Sequence, residues 1–213
     1  MTQRTTQALI DRLAAGGAPV RRLPSPLTRA FYWIGGYLLL AAAAIWLAGA
    51  WRADIAEIEL AGAFLTGSAA VIAAFILSLP DRGRLWMLLP LPPLILWLAG
   101  SSYGCYLNLV EFGPSGWIIG QSWDCFAFIL LVSVPASAAL FVALRRAAPL
   151  DPVPVLAAGG LGVAGLASAA LQFFHPFDIT FLDLGMHLAA AIIVISTMTI
   201  LGRNRLAPPL RPV

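Results

Sequence analysis

Six runs of about twenty apolar residues, at 30–50, 60–79, 85–101, 122–144, 155–174 and 181–201, occupy more than half of this 213-residue chain. The hydrocarbon core of a bilayer is about 30 Å thick, so a crossing helix needs about 20 such residues. Water is absent at that depth, and each backbone N–H and C=O must find its partner within the helix. The connecting segments are too short for a folded soluble domain. Composition agrees: 60% of residues are hydrophobic and 11% charged, against roughly 45–50% and about 25% in soluble domains. The third run is interrupted by Pro90, Pro92 and Pro93, which membrane helices tolerate when neighbours satisfy the freed carbonyls. The expected fold is an all-α integral membrane protein of six transmembrane helices over 30–203, with a soluble arm over 1–29 and a tail over 204–213.

The charges set the direction of threading. All thirteen basic residues are arginines. Arg4, Arg12, Arg21, Arg22 and Arg29 precede the first run. Arg82 and Arg84 separate the second from the third, Arg145 and Arg146 follow the fourth, and Arg203, Arg205 and Arg211 follow the sixth. Arg52 alone falls on the other side, together with Asp54, Glu57, Glu59, Glu111, Asp124, Asp178 and Asp183. Cytoplasmic loops carry the arginine excess, so both termini are expected in the cytoplasm. The first run begins far from the start and exceeds the 7–15 apolar residues of a signal peptide; it reads as an anchor. Arginines with abundant alanine point to a bacterial chain.

The middles of the six runs hold no Asp, Glu, Lys or Arg, whereas transporters and pumps place ionisable groups there. That argues against ion-coupled transport. His187 stands four residues after Asp183, on one helix face, near the outer end of the sixth run; an interfacial pair and a sensing role are both open to it. Gly160, Gly162 and Gly165 match the dinucleotide pattern G-x-G-x-x-G, but that pattern works between a strand and a soluble helix. Inside a membrane run, Ala158 with Gly162 and Gly165 with Ala169 allow close helix approach instead.

Cys105 follows the third run and Cys125 opens the fourth, flanking one outer loop. Three roles fit them. They can fill space as small hydrophobes, pair in an oxidising exterior, or join His175, Asp178 or His187 on a soft metal. The absence of C-x-x-C weakens a membrane thiol–disulfide oxidoreductase built on Cys105 and Cys125, which stands with a small transporter as the alternative function. In the arm, "TTQALIDRLAA" fits a short helix carrying Leu9, Ile10 and Leu13 and stopped by Gly16–Gly17. "PVRRLPSP" reads as an extended linker. A helix this short is marginal in water and needs a lipid surface or a partner groove to order it.

"LIDRLAAGGAPVRRLPSPLTRA", then "WDCFAFILLVSVPASAALFVALRRAAPLDP", a Gly/Ala-rich fifth run and a histidine at the next outer loop together resemble the NrsF-type anti-sigma factors, six-span inner-membrane proteins. The resemblance covers nearly the whole chain, and its most specific part is the fourth run with its cysteine, internal proline and R-R-x-A-P ending. It implies a negative regulator, not an enzyme, that holds an extracytoplasmic-function sigma factor at the bacterial inner membrane. No cofactor and no direct nucleic-acid contact are expected. The resemblance implies outer cysteines that detect oxidative or metal stress: Cys125 matches the fourth-span cysteine and His175 the loop histidine, while Pro176 stands where the family has a second cysteine. Cys105, His187 and Asp183 are further sensing candidates. Leu9, Ile10, Leu13, Arg12, Arg21 and Arg22 are the candidates for binding the sigma factor, and Pro135, Arg145 and Arg146 for transmission.

Overall fold

The computed structural model describes residues 3–16, 22–52, 57–113, 119–174 and 180–206, with side chains from residue 5 onward and, in the fourth segment, from 122. Every regular element among them is helical. A short helix, α1 (Gln3–Ala15), precedes α2 (Pro26–Leu47), α3 (Glu57–Leu77), α4 (Leu91–Phe112), α5 (Ile119–Arg145), α6 (Pro152–Leu171) and α7 (Phe181–Leu206). A 3-10 turn (Arg84–Leu88) leads into α4. Six helical segments, α2 to α7 with that turn joined to α4, are long and apolar enough to cross a membrane.

The boundaries follow from local chemistry. Ser25 starts α2: its Oγ accepts from the Thr28 backbone N–H at 3.2 Å, and Pro26 fills the first helical position, where a missing N–H is harmless. The first span therefore starts at Pro26, inside the expected arm of 1–29, and Arg29 already sits in the first turn of α2. The proline cluster begins α4 and does not break it. Pro92 and Pro93 fall in the first turn, where N–H groups lack intrahelical partners anyway. Leu94 makes the first bond, to the Pro90 carbonyl at 3.0 Å. Beyond the expected end at 101, Tyr103, Leu107, Val110 and Phe112 carry the helix onward. Cys105 is consequently inside α4 and not in the loop after it.

At the other end of the chain, α7 opens with a reciprocal cap. The Thr180 backbone N–H and hydroxyl donate to Asp183 Oδ2 at 3.0 and 2.7 Å, and the Asp183 N–H donates to Thr180 Oγ1 at 3.2 Å. Two otherwise orphaned groups are thus satisfied together.

α6 is the hub. It packs most extensively on α3, then on α7 and α5, and 83% of its apolar window is buried, against 17–22% for α2, α4, α5 and α7. Its glycines explain the closeness. A Cβ on Gly162 would lie 2.9 Å from the Val71 backbone nitrogen, one on Gly165 2.9 Å from Gly67 Cα, and one on Gly160 2.7 Å from Ile195 Cα. The small residues of the fifth span thus serve packing inside the chain. On α2, Phe31, Tyr32 and Trp46 stand exposed near opposite ends of the helix, with Trp51 just beyond it, as in the aromatic belts of membrane helices.

Candidate functional site

The helices alternate in direction, and side-chain bonds tie matching ends together. Gln172, after α6, donates to Glu59 in the first turn of α3 at 3.4 Å. Arg84, before α4, pairs with Asp151, before α6, at 2.7 Å. One end of the bundle therefore gathers the starts of α3, α5 and α7 with the ends of α4 and α6; the other gathers the described arginines of α2 to α7 except Arg52.

The first end holds the thiols. Buried stripes bring them inward: Trp97, Ser101 and Cys105 on α4, Ser122, Cys125 and Ile129 on α5, and Asp183, His187 and Ala190 on α7. Cys105 and Cys125 are each 1% exposed and not bonded to one another. Cys125 belongs to a buried cluster with Ile129, Ala167, Leu171 and Ala190, which joins α5 to α6 and α7. The Asp183 carboxylate is within electrostatic range of both thiols, and Glu59 is within range of Cys105. Asp183 and His187 are both buried. One Asp183 oxygen is committed to capping α7. Among the described residues no three His, Cys, Asp or Glu side chains are placed to hold a metal ion. His175 lies outside the described residues.

Glu59 is the residue that the loop assignment missed. At 7% exposure it faces the bundle, a buried carboxylate within electrostatic range of the equally buried Cys105. Such burial disfavours a thiol–disulfide enzyme, whose reactive sulfur must be reachable.

At the arginine end, Arg29 Nη2 donates to the Ala143 carbonyl at 2.6 Å. Its guanidinium lies 4.9 Å from the centroid of the Phe75 ring, with Arg146 in electrostatic range. The Ala143 carbonyl is among the last four of α5, which have no partner within the helix. A cation there also meets the negative end of the helix dipole. Arg29 thus caps α5 from the root of α2, a contact that no local sequence pattern contains. Arg145 and Arg146 are exposed. Pro135 sits within α5 on an exposed face, lining a groove against α2.

On α1, Leu9, Ile10 and Leu13 are 54%, 51% and 69% exposed and lie on one side of the helix at spacings of three and four. Arg12 is exposed in the last turn of α1 and Arg22 in the linker; Arg21 lies outside the described residues.

These features define a class: a helical bundle with six segments long and apolar enough to cross a membrane, buried thiols and carboxylates at one end and α5 capped by an arginine at the other. Within it, the family model for NrsF, "Negative regulator of sigma F", matches residues 13–207, nearly the whole chain. The chain belongs to this family, whose members are negative regulators of a sigma factor. Leu9 and Ile10 precede the matched range. No curated protein and no solved structure matches.

Proposed function

We propose that this protein is an inner-membrane anti-sigma factor with both termini in the cytoplasm. In this reading it sequesters an extracytoplasmic-function sigma factor through residues 1–29 and releases it on an oxidative or metal stress signal in the envelope. The observation that carries the proposal is α1: an exposed apolar face of Leu9, Ile10 and Leu13, flanked by Arg12, on an arm whose root is capped onto α5 by Arg29. Each of these side chains contributes roughly 1.5–3 kcal/mol when fully buried, so a partner groove that covers them orders a helix otherwise marginal in water. The arginine excess at the arm's end of the bundle supports the cytoplasmic assignment.

The end of the bundle that buries the two thiols is the proposed receiving end. Cys105 and Cys125 are too buried to react without some parting of α4, α5 and α7, and an adduct or ion lodged there favours the parted arrangement. A signal biases two conformations only through such differential interaction. α5 carries the change, since Cys125 lies near one end and the Ala143 carbonyl at the other. Asp183 and His187 report the same displacement through α7, and Pro135, Arg145 and Arg146 lie along the route on α5.

The test is capture from native membranes in detergent, comparing the full chain with one lacking residues 1–24. A sigma factor, identified by mass spectrometry, is expected with the full chain only. Equal capture by both chains refutes the role of the arm; no capture by either refutes sequestration.

A further inference from the structure

Between α5 and α7 runs an apolar groove of about 670 Å³ that the anti-sigma reading leaves unused. Its floor includes Phe141 and Met198, its walls Ala138 and Ile193, and Arg205 stands at its end. The lining spans Leu130 to Val142 on α5 and Ile193 to Arg205 on α7, about 18 Å on each helix at 1.5 Å per residue. One leaflet of hydrocarbon is about 15 Å deep. The groove therefore matches the depth of a single leaflet, and its one cationic residue stands at headgroup level.

We propose that this groove is a site for an anionic phospholipid of the leaflet at the arginine end, with one acyl chain lying between α5 and α7 and the phosphate on Arg205. Charge decides the headgroup class. At this end Arg82 lies 3.8 Å from Asp81 and Arg84 is paired with Asp151. Arg29, Arg145, Arg146, Arg203 and Arg205 have no salt-bridge partner among the described residues. The field there is positive, and a zwitterionic headgroup, whose own cation meets that field, is the poorer occupant. Shape decides the position. The groove is concave and continuous with Arg205, whereas Arg203 on the same helix turn does not line it. The proposal rests only on the chain crossing a bilayer and is independent of what the arm binds.

The test is native mass spectrometry of the full chain in detergent, with phosphatidylglycerol and phosphatidylcholine of identical acyl chains. Phosphatidylglycerol is expected to be retained about fivefold more strongly, the scale of one arginine near an anionic surface. Arg205→Gln should remove most of that preference and Arg203→Gln should leave it. Ala138→Phe places a ring in the groove from an exposed position and should displace the tightly held lipid of either headgroup. Single-chain lysophosphatidylglycerol should compete for the site, and glycerol 3-phosphate, which has the headgroup charge and no chain, should not. Equal retention of the two lipids overturns the proposal. So does equal sensitivity to the two arginine changes, which would mark diffuse surface attraction, or lipid retention unaffected by Ala138→Phe.

Discussion

Replacing Gly162 by alanine tests the close approach on which the bundle rests. The added Cβ would stand 2.6 Å from Val71 Cγ2, 2.9 Å from the Val71 nitrogen and 3.1 Å from the Gly67 carbonyl oxygen. The valine methyl can rotate away, but the nitrogen and the carbonyl belong to α3 itself. Ordinary contact begins near 3.4 Å, so α3 and α6 must separate by about 0.5 Å, and a gap of that size forfeits about a quarter of the dispersion attraction of the atoms that lose contact. Overpacking of this kind destabilises by about 1–3 kcal/mol. The comparison is Gly36→Ala in α2, where an added Cβ meets nothing within 4 Å; there alanine is expected to be neutral or to stabilise by up to about 1 kcal/mol, since glycine weakens a helix interior. Both variants should insert normally, because insertion depends on the hydropathy of each span and not on the fit between spans. Purified in a mild detergent and unfolded by added dodecyl sulfate, Gly162→Ala should lose its fold at a clearly lower denaturant fraction than wild type. Coincident transitions for Gly162→Ala and Gly36→Ala would refute the argument that α3 and α6 are in backbone contact.

Three further outcomes follow from particular contacts. Ala148, between α5 and α6, has φ +45°, a left-handed conformation that costs an L-residue roughly 1–2 kcal/mol; Ala148→Gly should raise stability by about 0.5–1 kcal/mol in the same titration, after glycine's larger loss of chain entropy. Arg29→Ala removes the bond to the Ala143 carbonyl and the contact with Phe75, and should destabilise by about 1–2 kcal/mol, whereas a stability equal to wild type would mean that the cap contributes nothing. Cys125→Ser should leave insertion intact and blunt the release of the sigma factor by oxidant or thiophilic metal, read with a transcriptional reporter; induction equal to wild type sinks the sensing role of this thiol.

Hydropathy made the spans legible, but it was periodicity that held the information about the site. By hydropathy Glu59 falls among the acids of a loop, because charge ends a hydropathy run. Yet Gly62, Ala63, Thr66 and Gly67 follow it at intervals of three, four, seven and eight, and all are buried, so the face of α3 that meets the bundle begins at Glu59. Cys105 falls beyond the hydropathy run for a related reason: Ser101, Ser102 and Gly104 end that run, while the apolar spacing through Leu109 and Phe112 continues the helix. The glycines of α6 were legible as packing residues and not as a nucleotide loop. Their partners on α3 were not legible, because local periodicity specifies which face is apolar and says nothing about which helix covers it. Arg29 is the extreme case. Among thirteen arginines it looks like any other topology charge, and its cap on α5 joins residues separated by more than a hundred positions.

That cap bears on which element can carry a signal. α6 is committed on nearly all sides, and moving it would break the glycine contacts with α3 and the packing on α7 together. α5 is different: 22% of its apolar window is buried, along the single stripe of Cys125, Ile129, Ser133, Ala136, Leu140 and Leu144. Displacing a helix buried on one stripe sacrifices fewer contacts than displacing the hub. It is also the helix that carries Cys125 near one end and the Ala143 carbonyl bonded by Arg29 near the other, about 27 Å apart for eighteen residues at 1.5 Å each. The same asymmetry gives the groove its place, since α5 is only partly covered on the side that faces α7.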